Sequence, residues 1–304
     1  MILVLVEPGD LSLEALTLAR GLGGPLEAVA FGEAPPGLGA YGVSRVHLVG
    51  LDAYAPGAWA GSIVGLVGSL EPDAVVAAGS DRGQEVLAHV AVRLDLPMAA
   101  NCIAAVPGDP WLVTRQRWGG SLLEEARLHG STRLLTVAPH GVVAEPAAQG
   151  VEAAVAEVAP DLDDGDFRVT VSRFEEPTAG TVQLGDARVV VGGGRGVGSA
   201  EGFAALEELA ALLGGAVGGS RVVTNLGWRP HADQIGQTGA RIAPDLYIAC
   251  GVSGAIQHMV GCKGAKRILA INKDPQAPIV ARADYAVIGD LGEIVPAVVA
   301  ELRR

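Results

Sequence analysis

The amino-acid sequence predicts an α/β protein of two domains, because apolar strand-like runs alternate with amphipathic helix-like segments along most of the chain. The chain has 304 residues, more than one hydrophobic core usually organises. Of these residues 49% are apolar, 43 are glycine and only 4% are aromatic, as in sheets with many short turns. We therefore expect an N-terminal mixed sheet domain with antiparallel hairpins and a C-terminal doubly wound parallel sheet domain.

The first half of the chain predicts a parallel sheet that continues into hairpins. Apolar runs alternate with helical segments up to residue 97, which implies right-handed crossovers between parallel strands. Period-two segments separated by Gly-Gly and Gly-Ser turns then predict antiparallel hairpins. The alternating segments are ILVLVE (2–7), LSLEALTLARGL (11–22), LEAVAFG (26–32), RVHLVG (45–50), residues 58–70, DAVVAAGS (73–80) and DRGQEVLAHVAVRLDLP (81–97). The period-two segments are WLVTRQRW (111–118), SLLEEARLH (121–129) and TRLLTVAP (132–139).

A change of composition marks the predicted domain boundary. Residues 160–175 are acidic and rich in Pro and Gly around one strand-like run, FRVTVSRF (167–174), and ARVVVGGGRG (187–196) then restarts the α/β pattern. We therefore expect domains 1–176 and 177–304. Further elements of the second domain are a helix over about 199–213, the buried strands LYIAC (246–250), RILAIN (267–272) and YAVIGD (285–290), and a closing helix.

Composition and charge exclude several classes of function. A net charge of -12 with only three lysines argues against nucleic acid as a partner, which would require clustered positive charge. The cysteines Cys102, Cys250 and Cys262 lack metal-ligand spacing, so we expect reduced thiols and no metal site. No apolar run reaches the length of a membrane span, and a strand begins at the N-terminus without a basic leader segment. We expect a cytoplasmic protein without membrane insertion.

Glycine-rich and polar loops follow the predicted strands of the second domain, where an open parallel sheet binds its ligands. The first loop, GGGRG (192–196), places Arg195 where a guanidinium group can bind an anion. Its spacing departs from the dinucleotide-binding fingerprint, because Val197 or Ser199 stands where a glycine is required. Ordinary NAD binding is therefore disfavoured, and the glycines alone fit a tight turn equally well.

Four further loops carry polar groups, each with a structural alternative. Ser220 is placed to cap a helix that begins with Arg221. The segment QIGQTG (234–239) is either a plain surface turn or a ligand clamp. Asn272 and Asp290 end buried strands, where they fit either hydrogen bonds to ribose and adenine or ordinary caps and turns.

The segment LYIACGVSGAIQH (246–258) resembles a hydrolase nucleophile elbow, with Ser253 on a strand-to-helix turn. The only later histidine is His258, in the same predicted helix, so the acid and histidine of a triad are missing. We therefore expect no catalytic residue, and interpret Ser253 as part of a phosphate seat at a helix N-terminus. Gln257 and His258 would reach the rest of a long ligand, and a purely structural histidine is the alternative.

Taken together and in their order along the chain, six motifs of residues 187–304 resemble the alpha subunit of the electron transfer flavoproteins. They are GGGRG, GGSR (218–221), QIGQTG, LYIACGVSGAIQH, AINKDPQAPI (270–279) and ADYAVIGDL (283–291). The first domain is similar only in strand order, in its SDRGQE (80–85) helix start and in total length. The resemblance implies one FAD per chain, bound across the second sheet, and a first domain that contacts the partner subunit without binding a nucleotide.

The resemblance also implies individual cofactor contacts. Ser220 and Ser253 would hold the pyrophosphate, and Asn272 and Asp290 the adenosine end. Three residues would tune the redox chemistry: Thr238 at flavin N5, His258 at the O2 side and Arg221 close to the isoalloxazine. The full set of matching positions is Arg195, Ser220, Arg221, Ile235, Gly236, Gln237, Thr238, Ser253, Gly254, Ala255, Ile256, Gln257, His258, Asn272, Asp290 and Leu291.

The implied function is electron transport as a carrier and not as an enzyme. By resemblance, the chain takes electrons from acyl-CoA or similar dehydrogenases of fatty acid β-oxidation and passes them to a membrane quinone oxidoreductase. It would form a heterodimer with a beta subunit that holds AMP.

Three alternatives stay open at the level of the sequence. One is the alpha subunit of a flavin-bifurcating relative that uses NADH through a second flavin in the beta subunit. Another is an NAD-dependent enzyme on a similar sheet, which the failed glycine fingerprint disfavours. The third is an adenine-nucleotide-binding regulator, in which Arg221, Thr238 and His258 would have no task.

Overall fold

The computed structural model describes residues 1–118, 120, 122–172 and 182–304. The chain divides into two compact units, Met1–Phe174 and Glu175–Arg304. The predicted boundary at residue 176 falls within residues 173–181, outside the described residues. Each unit has its own sheet with apolar clusters on both faces, so the predicted α/β fold class is confirmed.

The first unit is built on a nine-stranded sheet. Its helices are α1 (Asp10–Gly21), α2 (Pro56–Leu70) and α3 (Asp81–Leu94). Its strands are β1 (Ile2–Leu5), β2 (Leu26–Phe31), β3 (Val43–Val49), β4 (Ala74–Ala78), β5 (Met98–Val106), β6 (Trp111–Arg117), β7 (Leu122–Leu128), β8 (Arg133–Val137) and β9 (Ala154–Val158). The strand order is β7-β6-β5-β8-β4-β1-β2-β3-β9. All five side chains of β4 are buried, as expected of a central strand covered on both faces.

The mixed character of this sheet confirms one part of the hairpin prediction and corrects another. Strands β6 and β7 pair antiparallel, as predicted, and β5, which was not predicted, pairs antiparallel with β6. The third period-two segment forms β8, which pairs parallel to both β4 and β5. Alternation predicts a strand with two different faces but does not determine the direction of its neighbour. The predicted strand at 167–174 is wrong over residues 168–172, which form no strand, and β9, which was not predicted, pairs with β3.

The second unit is a doubly wound parallel sheet. Its strands are β10 (Val189–Gly193), β11 (Ala216–Gly219), β12 (Leu246–Cys250), β13 (Ile268–Asn272) and β14 (Tyr285–Ile288), in the order β11-β10-β12-β13-β14. Its helices are α4 (Phe203–Leu212), α5 (Arg221–Asn225), α6 (Ile256–Cys262) and α7 (Leu291–Leu302). Side chains of α4 and α7 join the apolar cluster on one face, and side chains of α6 join the cluster on the other. The chain leaves β10 first to one side and then to the other, which creates a topological switch point between β10 and β12.

No helix among the described residues is both long enough and apolar enough to cross a membrane.

Candidate functional site

The ends of the five parallel strands form the edge of the second sheet on which the predicted residues lie. The residue pairs Gly193–Gly219, Gly193–Cys250 and Asn272–Ile288 are in register, so the strands finish nearly level. Because all five strands run the same way, the loops that follow them emerge at one edge. The structure thus brings the predicted residues of the second domain to a common rim.

The loop after β10 is held against the loop after β12 by backbone hydrogen bonds. Gly194 N–H donates to the Cys250 carbonyl at 2.8 Å, and Gly196 N–H donates to the Gly251 carbonyl at 3.1 Å. A Cβ atom added at Gly194 would overlap that same Gly251 carbonyl oxygen. Close packing between two loops therefore explains Gly194, and Arg195 is carried on a fixed backbone.

Two arginines at this rim, Arg195 and Arg221, are exposed and form no ion pair with any described residue. By contrast, Arg229 of the same unit is paired with both Glu207 and Asp233. Two uncompensated guanidinium groups at one sheet edge favour an anionic ligand.

Neither serine caps a helix, although capping was predicted for Ser220. Ser220 stands at the N-cap position of α5, but its side chain accepts no capping hydrogen bond. Ser253 precedes the N-cap residue of α6, Ala255, by two positions. The Ser253 carbonyl accepts a hydrogen bond from Ile279 N–H at 3.1 Å, which anchors the loop. Ser253 therefore lies in an anchored loop before α6 and not in its first turn.

The QIGQTG segment is buried only in its first half, because Gln234, Ile235 and Gly236 are buried whereas Gln237 and Thr238 are exposed. Ile235 is 1% exposed. A Cβ atom added at Gly236 would lie 3.1 Å from the Gln257 carbonyl oxygen, and Gln237 N–H donates to that oxygen at 2.8 Å. The segment therefore packs directly against the start of α6, where Ala255 and Ile256 are exposed. Thr238 and Gln257 are exposed in the same region.

A buried glutamine that the sequence reasoning missed orients Thr238. Gln234 is 2% exposed, and its amide accepts from Thr224 Oγ1 at 2.8 Å and donates to Thr238 Oγ1 at 2.9 Å. Because the Thr238 oxygen serves as an acceptor here, its own proton remains free to be donated elsewhere. The only signal in the sequence is a polar residue immediately before the buried Ile235.

His258 combines burial with an unused nitrogen. Its side chain is 6% exposed, and its Nε2 lies 2.7 Å from the hydroxyl of Tyr247, another residue the sequence reasoning missed. Nδ1 is buried and has no hydrogen-bond partner among the described residues. Burial lowers the pKa of His258 to about 4, although the Ile235 carbonyl near the ring opposes that shift. The imidazole is therefore neutral at physiological pH, and its Nδ1 is a buried polar atom without a hydrogen bond in the described chain.

Asn272 and Asp290 already have structural partners. The Asn272 amide donates to the Val252 carbonyl at 2.8 Å. Asp290 caps α7 by accepting from Gly292 N–H at 2.7 Å, and it forms a 2.6 Å ion pair with Lys273 that lowers the pKa of its carboxyl group. Leu291 is buried at the first position of α7. The capping and turn alternatives are thus real interactions, and any ligand contact by Asn272 or Asp290 would be additional.

Sequence models of one protein family match both units. The model described as "Electron transfer flavoprotein domain" matches residues 2–163, and the model described as "Electron transfer flavoprotein FAD-binding domain" matches residues 183–263. Asn272, Asp290 and Leu291 lie beyond the second match.

Curated relatives are similar over nearly the whole chain. The electron transfer flavoprotein subunit alpha of Syntrophomonas wolfei is 36% identical over 305 residues, covering 96% of this chain and 94% of the relative. The protein of the same name from Mycobacterium tuberculosis is 37% identical over 308 residues, covering 97% and 96%. Protein FixB of Clostridium saccharobutylicum is 35% identical over 301 residues, covering 96% and 90%.

Proposed function

Because the chain belongs to the electron transfer flavoprotein alpha-subunit family, we propose that it carries one FAD at the carboxyl edge of its second sheet and shuttles single electrons between flavoprotein partners. Members of this family are electron carriers, and their alpha subunits form heterodimers with beta subunits. The observation that supports the proposal most directly is the pair of uncompensated arginines, Arg195 and Arg221, on the strand-end rim.

The chemistry of the rim fits FAD, which is long, anionic at its pyrophosphate and rich in acceptors at its isoalloxazine. The hydroxyl groups of Ser220 and Ser253 would hold the pyrophosphate near Arg195. Asn272 and Asp290 would contact the adenosine end. Nδ1 of His258 is buried and has no hydrogen-bond partner in the described chain, so a ligand oxygen that reached it would satisfy a polar atom that the protein leaves unpaired.

At the isoalloxazine end, bound FAD would supply one-electron redox chemistry, and the protein would supply charge and hydrogen bonds. Arg221 would place a positive charge near N1 and O2, where negative charge increases on reduction. The Gln234 amide donates a hydrogen bond to the Thr238 hydroxyl oxygen, so the Thr238 proton would be free to point at N5. His258 would donate a hydrogen bond to O2 without adding charge.

Replacement of Arg221 tests this assignment. A unit charge about 4 Å away contributes about 1 kcal/mol in water and about 4 kcal/mol at an effective dielectric of about 20. We expect Arg221→Ala, in the purified heterodimer, to retain FAD and to shift the midpoint potential of the first reduction step to more negative values by an amount in that range. Spectroelectrochemical titration measures the shift.

Arg267→Ala is the matched control, because Arg267 pairs with Asp284 at 2.8 Å on the surface of the same unit. A normal potential in Arg221→Ala would remove the tuning role of Arg221. A wild-type heterodimer without FAD would overturn the proposed function itself.

The finer assignments are part of the same proposal. The donors would be acyl-CoA or similar dehydrogenases and the acceptor a membrane quinone oxidoreductase, with AMP in the beta subunit and the heterodimer in the cytoplasm. Analysis of bound nucleotides should give one FAD and one AMP per heterodimer. Two flavins would instead identify the bifurcating alternative that uses NADH.

A further inference from the structure

We propose that Tyr247 is a positioning residue that determines which ring nitrogen of His258 carries the proton, so that His258 presents a neutral Nδ1–H donor to the ligand. The inference depends on the proposed FAD site only for the identity of that ligand. The Tyr247 hydroxyl lies 2.7 Å from His258 Nε2. The exposed fractions of the two side chains are 0% and 6%, so water does not compete for this hydrogen bond.

The direction of this hydrogen bond follows from where the protons of the tyrosine and the histidine can lie. A tyrosine hydroxyl has one proton, and burial holds its pKa well above the ordinary value, so Tyr247 keeps that proton. Within the described chain, His258 Nε2 is the only hydrogen-bond partner of this hydroxyl. If Nε2 were the donor, the tyrosine proton would be buried without an acceptor, which is unfavourable because a buried donor loses its hydrogen bond to water. Tyr247 therefore donates to Nε2, and the proton of the neutral ring lies on Nδ1.

The backbone around Tyr247 is built to accommodate this hydroxyl. Tyr247 lies in β12, which is hydrogen-bonded on both sides, to β10 and to β13. A Cβ atom added at Gly192 of β10 would overlap the Tyr247 hydroxyl oxygen. The first glycine of the GGGRG motif is thus required by the tyrosine, whereas the glycines after it pack against other neighbours.

A fixed tautomer has a consequence for the ligand. A protonated Nδ1 attracts a flavin carbonyl oxygen, and the attraction strengthens as reduction adds negative charge there. An unprotonated Nδ1 would instead repel that oxygen, because the lone pairs of the two atoms would face each other. Loss of the Tyr247 hydroxyl should therefore alter the flavin by releasing the ring to the other tautomer, although Tyr247 itself contacts His258 and not the ligand.

The test is nitrogen NMR on the heterodimer with ¹⁵N-labelled histidine in this chain, with the His258 signals assigned from the His258→Gln spectrum. In the wild type we expect a protonated Nδ1 and a bare Nε2. In Tyr247→Phe we expect Nε2 to gain proton occupancy and the first flavin midpoint potential to become more negative. Tyr285→Phe is the matched control, since Tyr285 is 67% exposed on β14.

A protonated Nε2 in the wild type would overturn the inference, and this measurement does not depend on the folding of the Tyr247→Phe variant. Unchanged nitrogen signals in Tyr247→Phe would also overturn it. A heterodimer that lacks FAD would contradict the proposed function alone, because the protonation of His258 can still be read in the flavin-free protein.

Discussion

The three glycines from Gly192 to Gly194 each face a different neighbour. A Cβ atom would overlap the Tyr247 hydroxyl at Gly192, the Phe203 ring at Gly193 and a backbone carbonyl at Gly194. All three have ordinary backbone angles, so the need for glycine here is steric and not conformational. The motif serves the packing of strand, helix and loop before it serves any ligand.

Gly192→Ala should destabilise the second unit, because the added methyl group has no free volume. Overpacking of this kind costs about 1–3 kcal/mol. Gly185→Ala is the matched control, since a Cβ atom there would have no neighbour within 4 Å. Thermal unfolding followed by calorimetry checks the comparison, and equal midpoints for the two variants would contradict it.

The buried, neutral His258 predicts a dependence of stability on pH. Its pKa is about 4 in the folded chain and 6.5 as an ordinary histidine. Between these values the unfolded chain binds a proton that the folded chain excludes, so the free energy of unfolding falls as the pH is lowered through that window. The loss from this group should reach up to about 3 kcal/mol near pH 4.

Urea unfolding at a series of pH values measures this contribution. His258→Gln should flatten the curve between pH 6.5 and 4, while His231→Gln, at an exposed position, should leave it unchanged. Identical slopes for the wild type and His258→Gln would show that His258 binds its proton equally well in the folded and unfolded chains.

At the start of α7, Asp290 has two separable interactions, the cap on Gly292 and the ion pair with Lys273. Asn can replace the capping oxygen but not the charge. We therefore expect Asp290→Asn to keep most of the thermal stability that Asp290→Ala loses. If the carboxylate also binds the adenosine end, both variants should weaken FAD affinity by at least about tenfold, since hydrogen bonds to charged groups are strong.

Equilibrium titration with FAD distinguishes the two roles. Normal FAD affinity in both variants would show that Asp290 serves only as a cap. Normal thermal stability in Asp290→Ala would show that the cap does not stabilise the protein.

The strands that were predicted best are continuous apolar runs, because a run of this kind favours burial on both faces of a sheet. β12 and β13 are continuous apolar runs, and each was predicted within one residue. The third strand predicted as buried, β14, is wrong in that respect, because it is an edge strand whose four residues are exposed. β11 has four residues, two of them glycine, and it becomes a strand through its register with β10. The segment at 168–172 has the alternation of a strand but no strand partner, because alternation does not create a free sheet edge.

The two units have separate sheets and apolar clusters, so removal of FAD should affect them unequally. A ligand present at about 100 times its dissociation constant stabilises the folded state by about 2.7 kcal/mol. Hydrogen exchange of the heterodimer with and without FAD should therefore show lost protection in the loops after β10 to β14. Protection lost mainly in Met1–Phe174 would contradict the placement of the site.

The position of the candidate residues at one sheet edge was predictable, because it follows from the parallel direction of the strands. Once the strands run the same way, Arg195, Ser220, Ser253, Asn272 and Asp290 lie at one edge, and this holds. Gln234 and Tyr247 could not be predicted, because their importance depends on hydrogen bonds across loops. The sequence shows which groups can donate to a ligand, but only the fold shows which neighbours orient those groups.

The strand β9 covers β3 and forms the last strand of the first sheet, although about 100 residues separate the two in the chain. During synthesis at 5–20 residues per second, β3 would leave the ribosome roughly 5–20 s before its neighbour. For that interval the nascent chain exposes unpaired amide and carbonyl groups to other nascent chains. Efficient production of this protein should therefore depend on translation speed over residues 50–158 and on chaperones that cover the open edge.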